Sequence, residues 1–363
     1  MTALQSNLLE NHTPTGREEA WRFTPLKRLG GMHDGTATVD SRSSLCVKGA
    51  LPQGATFAVG ELTAVTESDD AIVNRVRAHT SSGSILTIAP NAELAEPIFL
   101  GRNAFGLDSA EFSRVQIKVG NHAKVIVVIE NTGDTHIAED LEIIVEPGAK
   151  LTLIALQEWG SKTIHTARHH AVVDRDATFK SVVVTIGGDV VRLLPTVDFI
   201  APGASCDLSG VYFATAGQFF EHRMFVDHKV PNAKSRVNYK GALAGDKAHT
   251  VWIGDVFIRA AAEGTDTYEL NRNLLLTDGA RADSVPNLEI ETGEIVGAGH
   301  ASTTGRFDDE QLFYLMSRGI NEDDAKRLVV RGFFNEIISE IGIDEIEARL
   351  MARIDDELAK AGN

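Results

Sequence analysis

The sequence predicts a mainly β protein, with a right-handed parallel β-helix core flanked by N-terminal and C-terminal helical regions. Between residues 101 and 300 the chain consists of short β-rich runs with few helical periods, such as VQIKVG, AKVIVVIEN and FKSVVVTIGG. Turn signatures that end in alanine recur between these runs at a nearly constant interval. After Arg306 the apolar residues change to helical spacing.

The recurring turns set the length of the repeat. Successive turn alanines lie 26, 28, 27 and 29 residues apart, at Ala123, Ala149, Ala177, Ala204 and Ala233. Such a period is typical of coils that stack in register and merge their apolar faces into one core, with the small alanine at a tight corner. The next turn ends at Ala280, 47 residues later, so we expect the repeat to break or carry an insertion there. A β-sandwich or double jelly roll is the alternative, and the repeat length favours the β-helix.

The flanking segments have different compositions, and we predict four regions. They are an N-terminal helical segment and linker (1–44), a small mixed α/β region (45–100), the parallel β-helix core (101–305) and a C-terminal helical domain (306–363). In the first, GREEAWRFTPLKRL opens a short helix that Pro25 interrupts or ends, and a Gly- and Ser-rich linker follows.

The C-terminal region contains the start and stop signals of three helices. Leu312, Phe313, Leu315 and Met316 form an apolar stripe that Gly319 ends. Asn321 is the expected N-cap of a second helix, and a third helix begins near Asp344. We therefore expect a helical domain attached directly to the β-helix.

Composition excludes several classes of function. A net charge of −16 argues against a nucleic-acid-binding surface, because phosphate binding needs a basic footprint. No apolar run is long enough to span a bilayer, and the N-terminus lacks the pattern of a secretory signal. Cys46 and Cys206 lie far apart and predict neither a disulfide framework nor a metal site, and we expect Cys206 to fill core space. These features predict a cytoplasmic protein.

The densest group of histidines is IHTARHHA, residues 164–171. On a strand, His165 and His169 share a face but lie about 13 Å apart, too far to bind one metal directly. We expect these histidines to be exposed polar positions. Phosphate-loop, dinucleotide-binding and nucleophile-elbow motifs are missing from the sequence, so ATP hydrolysis and serine-hydrolase chemistry have no support.

A carbohydrate-active β-helix enzyme is an alternative function. It would need two or more carboxylates on one ladder that faces a groove. The candidates Asp174, Asp176, Asp198 and Asp207 fall at or near turns, where aspartate is common for local reasons. The missing secretory signal also disfavours this alternative.

Three motifs together resemble the SufB/SufD family of iron–sulfur cluster assembly proteins, on its SufD side. They are EEAWRFTPLKRL near the start, NRNLLLTDGARADSVPNLEI (271–290) and GHASTTGRFDDEQLFYLMSRGI (299–320). The resemblance covers nearly the whole chain. It implies a β-helix between helical regions and a non-catalytic scaffold subunit that acts with a SufB-like subunit and a SufC-like ABC ATPase.

The same resemblance implies a role for His300, which lies among glycine, alanine and serine residues. His300 matches the histidine that SufD-like proteins offer at the SufB interface as a ligand for iron or a cluster. Many SufD-like relatives carry a cysteine two residues earlier, where this chain has Ala298. SufB-like sequences have a cysteine at the position of Asn271 and a glutamate at that of Ala301, so sulfur acceptance and carboxylate ligation are not expected from these two positions. A single imidazole cannot hold a cluster, so His300 would act together with partner side chains.

The implied cofactor is therefore transient: iron or a cluster at the SufB interface, with none bound permanently by this chain alone. The implied contacts with the ATPase are in the C-terminal helices, at Arg318, Gly319, Phe333 and Phe334, although one of the two phenylalanines is expected to pack internally. A homodimer that uses the same strand edge, as a resting form, is the remaining alternative.

Overall fold

Two long sheets wind around one interior. The computed structural model describes residues 12–102, 104, 106–306 and 309–361. The strands are β1 (Val39–Asp40), β2 (Leu45–Lys48), β3 (Ala55–Glu61), β4 (Ser82–Ile88), β5 (Ile98–Arg102), β6 (Gly106–Val119), β7 (Lys124–Gly133), β8 (Thr135–Val145), β9 (Lys150–Trp159), β10 (Ile164–Val173), β11 (Thr178–Thr185), β12 (Val190–Phe199), β13 (Ser205–Ala214), β14 (Phe219–His228), β15 (Lys234–Leu243), β16 (His249–Ile258), β17 (Asp266–Leu275), β18 (Arg281–Ile290) and β19 (Gly297–Arg306).

From β6 onward the chain alternates between the two sheets. Sheet A has the order β18-β16-β14-β12-β10-β8-β6-β4-β3, with β1 beside β6, and sheet B has the order β19-β17-β15-β13-β11-β9-β7-β5-β2. All pairs in this region are parallel, whereas β2–β5 and β3–β4 are antiparallel. Each coil thus adds one strand to each sheet, which confirms the predicted parallel β-helix.

The corners between the sheets explain the alanine repeat. Ala123, Ala149, Ala177, Ala204 and Ala233 are all fully buried at the corner that leads from sheet A to sheet B. The predicted break after Ala233 is wrong. Ala262 follows it by 29 residues at the same corner and is fully buried, whereas Ala280 lies at the opposite corner, as does Ala248. The two corners have similar turn residues, so the sequence pattern alone did not distinguish an alanine at one corner from an alanine at the other.

The helices pack on the outer faces of the sheets and on one another. They are α1 (Ala71–His79), α2 (Asp309–Ser317), α3 (Glu322–Ile338) and α4 (Asp344–Ala361). One apolar cluster joins α3 and α4 to the outer face of sheet B, where Phe334 and Ile337 meet Val182 and Phe213. Ile72 of α1 lies in a second cluster, which includes outward-facing side chains of sheet A.

The N-terminal motif is an anchor on sheet A. It forms two short 3₁₀ turns, Glu19–Trp21 and Leu26–Arg28, on either side of Pro25, rather than one helix. Buried Trp21 stacks under the Arg192 guanidinium at 3.9 Å, and the Thr24 hydroxyl donates to a Glu221 carboxylate oxygen at 2.6 Å. The motif therefore fastens the start of the chain to strands 170–200 residues later.

The strands of residues 45–100 join the same two sheets, and Leu86, Ile98 and Leu100 belong to the same interior cluster as the later coils. The division into four domains stays a prediction. In the C-terminal region, Gly319 has a positive φ of 88° just after α2, and the Asn321 side chain accepts from the Asp324 amide at 2.9 Å, which confirms the expected stop and cap. Across the described ranges, no helix is both long and apolar enough to cross a membrane.

Candidate functional site

The last coil of the β-helix leaves two strand edges open. β18 and β19 end the two sheets, each pairing on one side only with β16 and β17, respectively, among the described strands. Such edges present unpaired N–H and C=O groups that another strand can bind. Apolar side chains are also exposed here, with 75% of Val296 and 47% of Ile290 accessible.

His300 lies on β19 at this open end. Its side chain is exposed, and no side chain of the described residues hydrogen-bonds to its ring. Its register partner on β17 is Glu269, one coil further in. Both side chains therefore project from the interior face of sheet B, His300 at the mouth and Glu269 below it. Ala298 lies on the same strand and face, where it supplies no ligand atom.

Glu269 is an unusual buried carboxylate. Its exposed fraction is 1%, and neither carboxylate oxygen has a hydrogen-bond partner among the described residues. Oε2 lies beside Gly254 together with the Trp252 ring: a Cβ added at this glycine would come within 2.7 Å of Oε2 and 2.5 Å of the ring. Burial, with the nearby Asp255 charge, raises the pKa of Glu269 to about 8. The sequence analysis did not single out this residue; the signal was a glutamate in phase with apolar strand positions.

Asn271 is the centre of a buried amide network on the next inward-facing position of β17. Its Nδ2 donates to the Tyr212 hydroxyl at 2.9 Å, and its Oδ1 accepts from Asn273 at 2.7 Å and from the Ser284 hydroxyl at 2.7 Å. The exposed Ser302 hydroxyl donates in turn to Ser284 at 2.7 Å. The Asn271 amide thus links β17 to β13 and β18 by hydrogen bonds. Its role in this chain is structural, and it supplies no thiol.

The histidine group of β10 is buried, so the expectation of exposed positions is wrong. His165 and His169 do share a face, which is the interior, where Trp159 Nε1 donates to His165 at 3.1 Å. Burial and then the Arg102 charge lower the pKa of His169 to about 4. His170 projects outward, and its Nδ1 lies 2.6 Å from the Thr196 hydroxyl. These neutral rings belong to the packing of the coils.

The aspartates considered for carbohydrate cleavage form no catalytic pair. Lys229 lies 2.8 Å from Asp198 and 3.5 Å from Asp227, so the carboxylates on this ladder are already compensated. Asp207 is partly buried beside Lys180 and Glu340, and Asp174 and Asp176 lie in a corner turn, as expected. Cys206 is buried, as expected for a core residue, and burial raises the pKa of its thiol.

The four predicted partner residues lie in different environments. Arg318 is exposed, with its guanidinium donating to the Tyr314 hydroxyl at 2.9 Å and lying over that ring, and Gly319 ends α2. Phe333 is half-buried, with Lys240 Nζ 5.0 Å from its ring centroid. Phe334 is fully buried against Phe213 of β13, so its side chain is not available to a partner in this arrangement.

An exposed apolar surface adjoins Arg318, and we call it the α2–α3 patch. It is formed by Phe313, Tyr314, Met316 and Leu328. Phe313 alone is 73% exposed, unusual for so large an apolar side chain. The sequence analysis identified the apolar stripe of α2 but did not assign it to a surface.

Iron ligands are sparse in this chain taken alone. No group of three His, Cys, Asp or Glu side chains in the described ranges could hold a metal ion. A metal at the open end would therefore complete its coordination with water or with another molecule.

Comparisons with known proteins agree on one family. A family model described as "SUF system FeS cluster assembly, SufBD core domain" matches residues 102–333. The chain is 47% identical over 354 residues to an iron–sulfur cluster assembly SufBD family protein of Mycobacterium tuberculosis, which covers 95% of this chain and 89% of that protein. The iron–sulfur cluster assembly protein SufD of Escherichia coli is 26% identical over 385 residues, or 97% and 90% of the two chains. Another SufBD family protein of M. tuberculosis is 29% identical over 204 residues, which is 56% of this chain and 24% of that protein.

Proposed function

Because the chain belongs to the SufBD family of iron–sulfur cluster assembly proteins, we propose that it is the SufD-like, non-catalytic scaffold subunit of a SUF complex. Its partners in this proposal are a SufB-like subunit and a SufC-like ABC ATPase. The similarity to the E. coli protein named SufD over nearly both chains supports this assignment. The cargo is iron or a nascent iron–sulfur cluster, held transiently at the interface with the SufB-like subunit.

The observation that carries the proposal is the open end of the β-helix with His300 at its mouth. A second β-helix of the same family would offer strands of matching spacing to the bare edges of β18 and β19. The similarity of this chain to two different SufBD family proteins of one organism is consistent with a pair of related subunits.

At such an interface the imidazole of His300 supplies one ligand for the cargo. Imidazole nitrogen suits iron, but clusters take several ligands, mostly thiolates. The partner would supply these thiolates, since Cys206 is buried in the core and Ala298 stands beside His300 without a ligand atom. The chain would then position the cargo rather than react with it.

For the ATPase we propose the α2–α3 patch as the contact surface, with Arg318 at its margin. Exposed aromatic and methionine side chains beside an arginine have the composition of the centre of a protein interface. The half-buried Phe333 extends this surface, whereas Phe334 supports it from below.

Co-expression tests this function directly. The chain is expressed with the SufB-like and SufC-like proteins of its own organism, and the tagged chain is purified and its complexes are weighed by native mass spectrometry. We expect a heteromeric complex that contains all three chains. A chain that purifies alone as a stable dimer, even with both candidates present, would instead favour the homodimer alternative.

A further inference from the structure

Glu269 lacks the compensation that the other buried carboxylates have. Buried Glu111 and Glu139 both pair with Arg102, and Asp140 pairs with Arg77 and Arg168. Glu269 has no ion pair and no hydrogen bond to its carboxylate among the described residues, although it is 1% exposed. A buried carboxyl group without a hydrogen-bond partner is destabilising whether it is charged or neutral, so its presence calls for a partner that this chain alone does not supply.

The position of Glu269 relates it to both sheets of the last coils. The carboxylate extends across the interior to Gly254 of the opposite sheet, beside the Trp252 ring. Pro286 of β18 follows Gly254 in register, and His300 follows Glu269, so the next coil toward the open end carries the imidazole. The nearby Asp255 adds a second acidic group beside Glu269.

We propose that Glu269 is a second ligand of the iron site at the open end, so that one carboxylate and the imidazole of His300, on consecutive coils, bind one ferrous ion. The iron identity rests on the proposed function, whereas the pairing of the two ligands rests on the register and on the unpartnered carboxylate. A carboxylate and an imidazole are a donor pair that ferrous iron accepts, with its remaining positions open to water or to a partner's thiolates.

The pair also changes what this chain contributes to the interface. With His300 alone, iron would be held only through the partner. With Glu269 beneath it, the chain binds a ferrous ion before the partner arrives, and the charge of the carboxylate offsets part of the charge of the ion.

The test is anaerobic titration of the full-length isolated chain with Co²⁺, followed by visible absorption, and with Fe²⁺, followed by calorimetry. We expect one equivalent to bind, and Glu269→Gln to weaken binding at least tenfold. His300→Ala should weaken it similarly. Because both groups would hold the same ion, the double variant should lose less than the product of the two single losses. Glu289→Gln is the matched control, since it removes an exposed carboxylate from the outer face of β18.

Thermal unfolding without metal separates ligation from a structural role. Glu269→Gln should unfold at the same or a higher temperature than the wild type, because glutamine retains the shape of a carboxyl group that has no hydrogen bond to lose among the described residues. If the Gln variant does not fold, Glu269→Asp retains the charge, retracts it by one methylene and should still weaken cobalt binding.

Two results would overturn the inference. One is cobalt binding at wild-type affinity by Glu269→Gln, or by Glu269→Asp if the Gln variant does not fold. The other is losses that multiply in the double variant. Failure of the inference is distinguishable from that of the proposed function. If the chain joins no SufB-like partner but binds cobalt through Glu269, the metal site is supported and the proposed function fails. If the complex forms but its metal binding does not depend on Glu269, the proposed function is supported and this inference fails.

Discussion

Glu269 and His300 are register partners on β17 and β19, one fully buried and the other at the mouth of the β-helix. The stacking of coils places their Cα atoms about 4.8 Å apart and directs both side chains to one interior face. A parallel β-helix therefore brings together residues that are 31 positions apart in sequence. The candidate site is a consequence of the repeat, because each coil adds one position to the same column.

His300→Ala is expected to lower the iron or cluster content of the complex while leaving the ATPase bound. The imidazole is exposed on β19 and is not part of the helices proposed to contact the ATPase, so its removal deletes a ligand without disturbing packing. Iron and acid-labile sulfide per complex, measured after anaerobic purification, check this result. An iron content equal to that of the wild type would exclude His300 as a ligand.

Thr304→Pro is expected to weaken association with the SufB-like subunit at least tenfold while the isolated chain still folds. The amide of Gly297 donates to the Thr265 carbonyl of the preceding coil. Amides alternate in direction along a strand, so the amide of Thr304 points to the open edge. Proline there removes a donor to the partner and places its ring against the incoming strand.

Thr304→Val is the matched control, because it removes the hydroxyl, whose only hydrogen bond in the described structure is a 3.4 Å contact from Asn273, and retains the amide. Both variants are compared by pull-down and by circular dichroism. Wild-type affinity in the proline variant would mean that the β19 edge is not the interface.

Phe313→Ser is expected to weaken ATPase binding by tenfold or more and to leave the free energy of unfolding within about 0.5 kcal/mol, because the side chain is 73% exposed. Phe334→Ala, by contrast, is expected to act on stability: it should lower the free energy of unfolding by about 3–5 kcal/mol, since it opens a cavity against Phe213. Denaturant unfolding and binding to the ATPase are measured on both. Unchanged binding by Phe313→Ser would remove the α2–α3 patch from the proposed contact.

The parts of the fold that depend on local chemistry were predictable, and those that depend on what covers a surface were not. Corner alanines revealed the coil because a tight corner limits side-chain size whatever surrounds it. The period alone could not tell one corner from the other, which produced the error at Ala280. His170 was expected to be exposed because a polar strand face looks solvated, whereas its side chain is buried with its ring against the Thr196 hydroxyl of the neighbouring strand.

The same dependence on tertiary packing explains which residues of the candidate site were predicted from the sequence and which were not. His300 was found because its neighbours are small and because a motif carried the resemblance, whereas Glu269 was invisible without the register that makes it the neighbour of His300. Phe333 and Phe334 are adjacent in sequence, and only the position of α3 on sheet B decides which of them is buried.

Stability is expected to fall as the pH decreases from about 6.5 toward 4, because the interior contains neutral histidines. His169 has its pKa lowered from 6.5 to about 4 by burial and by Arg102, whose guanidinium already pairs with the neighbouring Glu139. Burial also lowers the pKa of His222 to about 3. Since these folded-state values lie below the unfolded value, the unfolded chain takes up protons first as the pH falls. The contribution of these histidines to stability is therefore fully present above pH 6.5 and is lost progressively below it.

Each such histidine contributes a slope of at most about 1.4 kcal/mol per pH unit within that window. His169→Gln removes one of them, because an amide does not titrate, and should flatten the dependence of the unfolding free energy on pH between 6.5 and 4 by up to that amount. Denaturant unfolding at half-unit intervals of pH measures the slope independently of any constant loss caused by the substitution. Equal slopes in the wild type and in His169→Gln would mean that this ring is protonated in the folded protein, with Glu139 rather than Arg102 determining its charge.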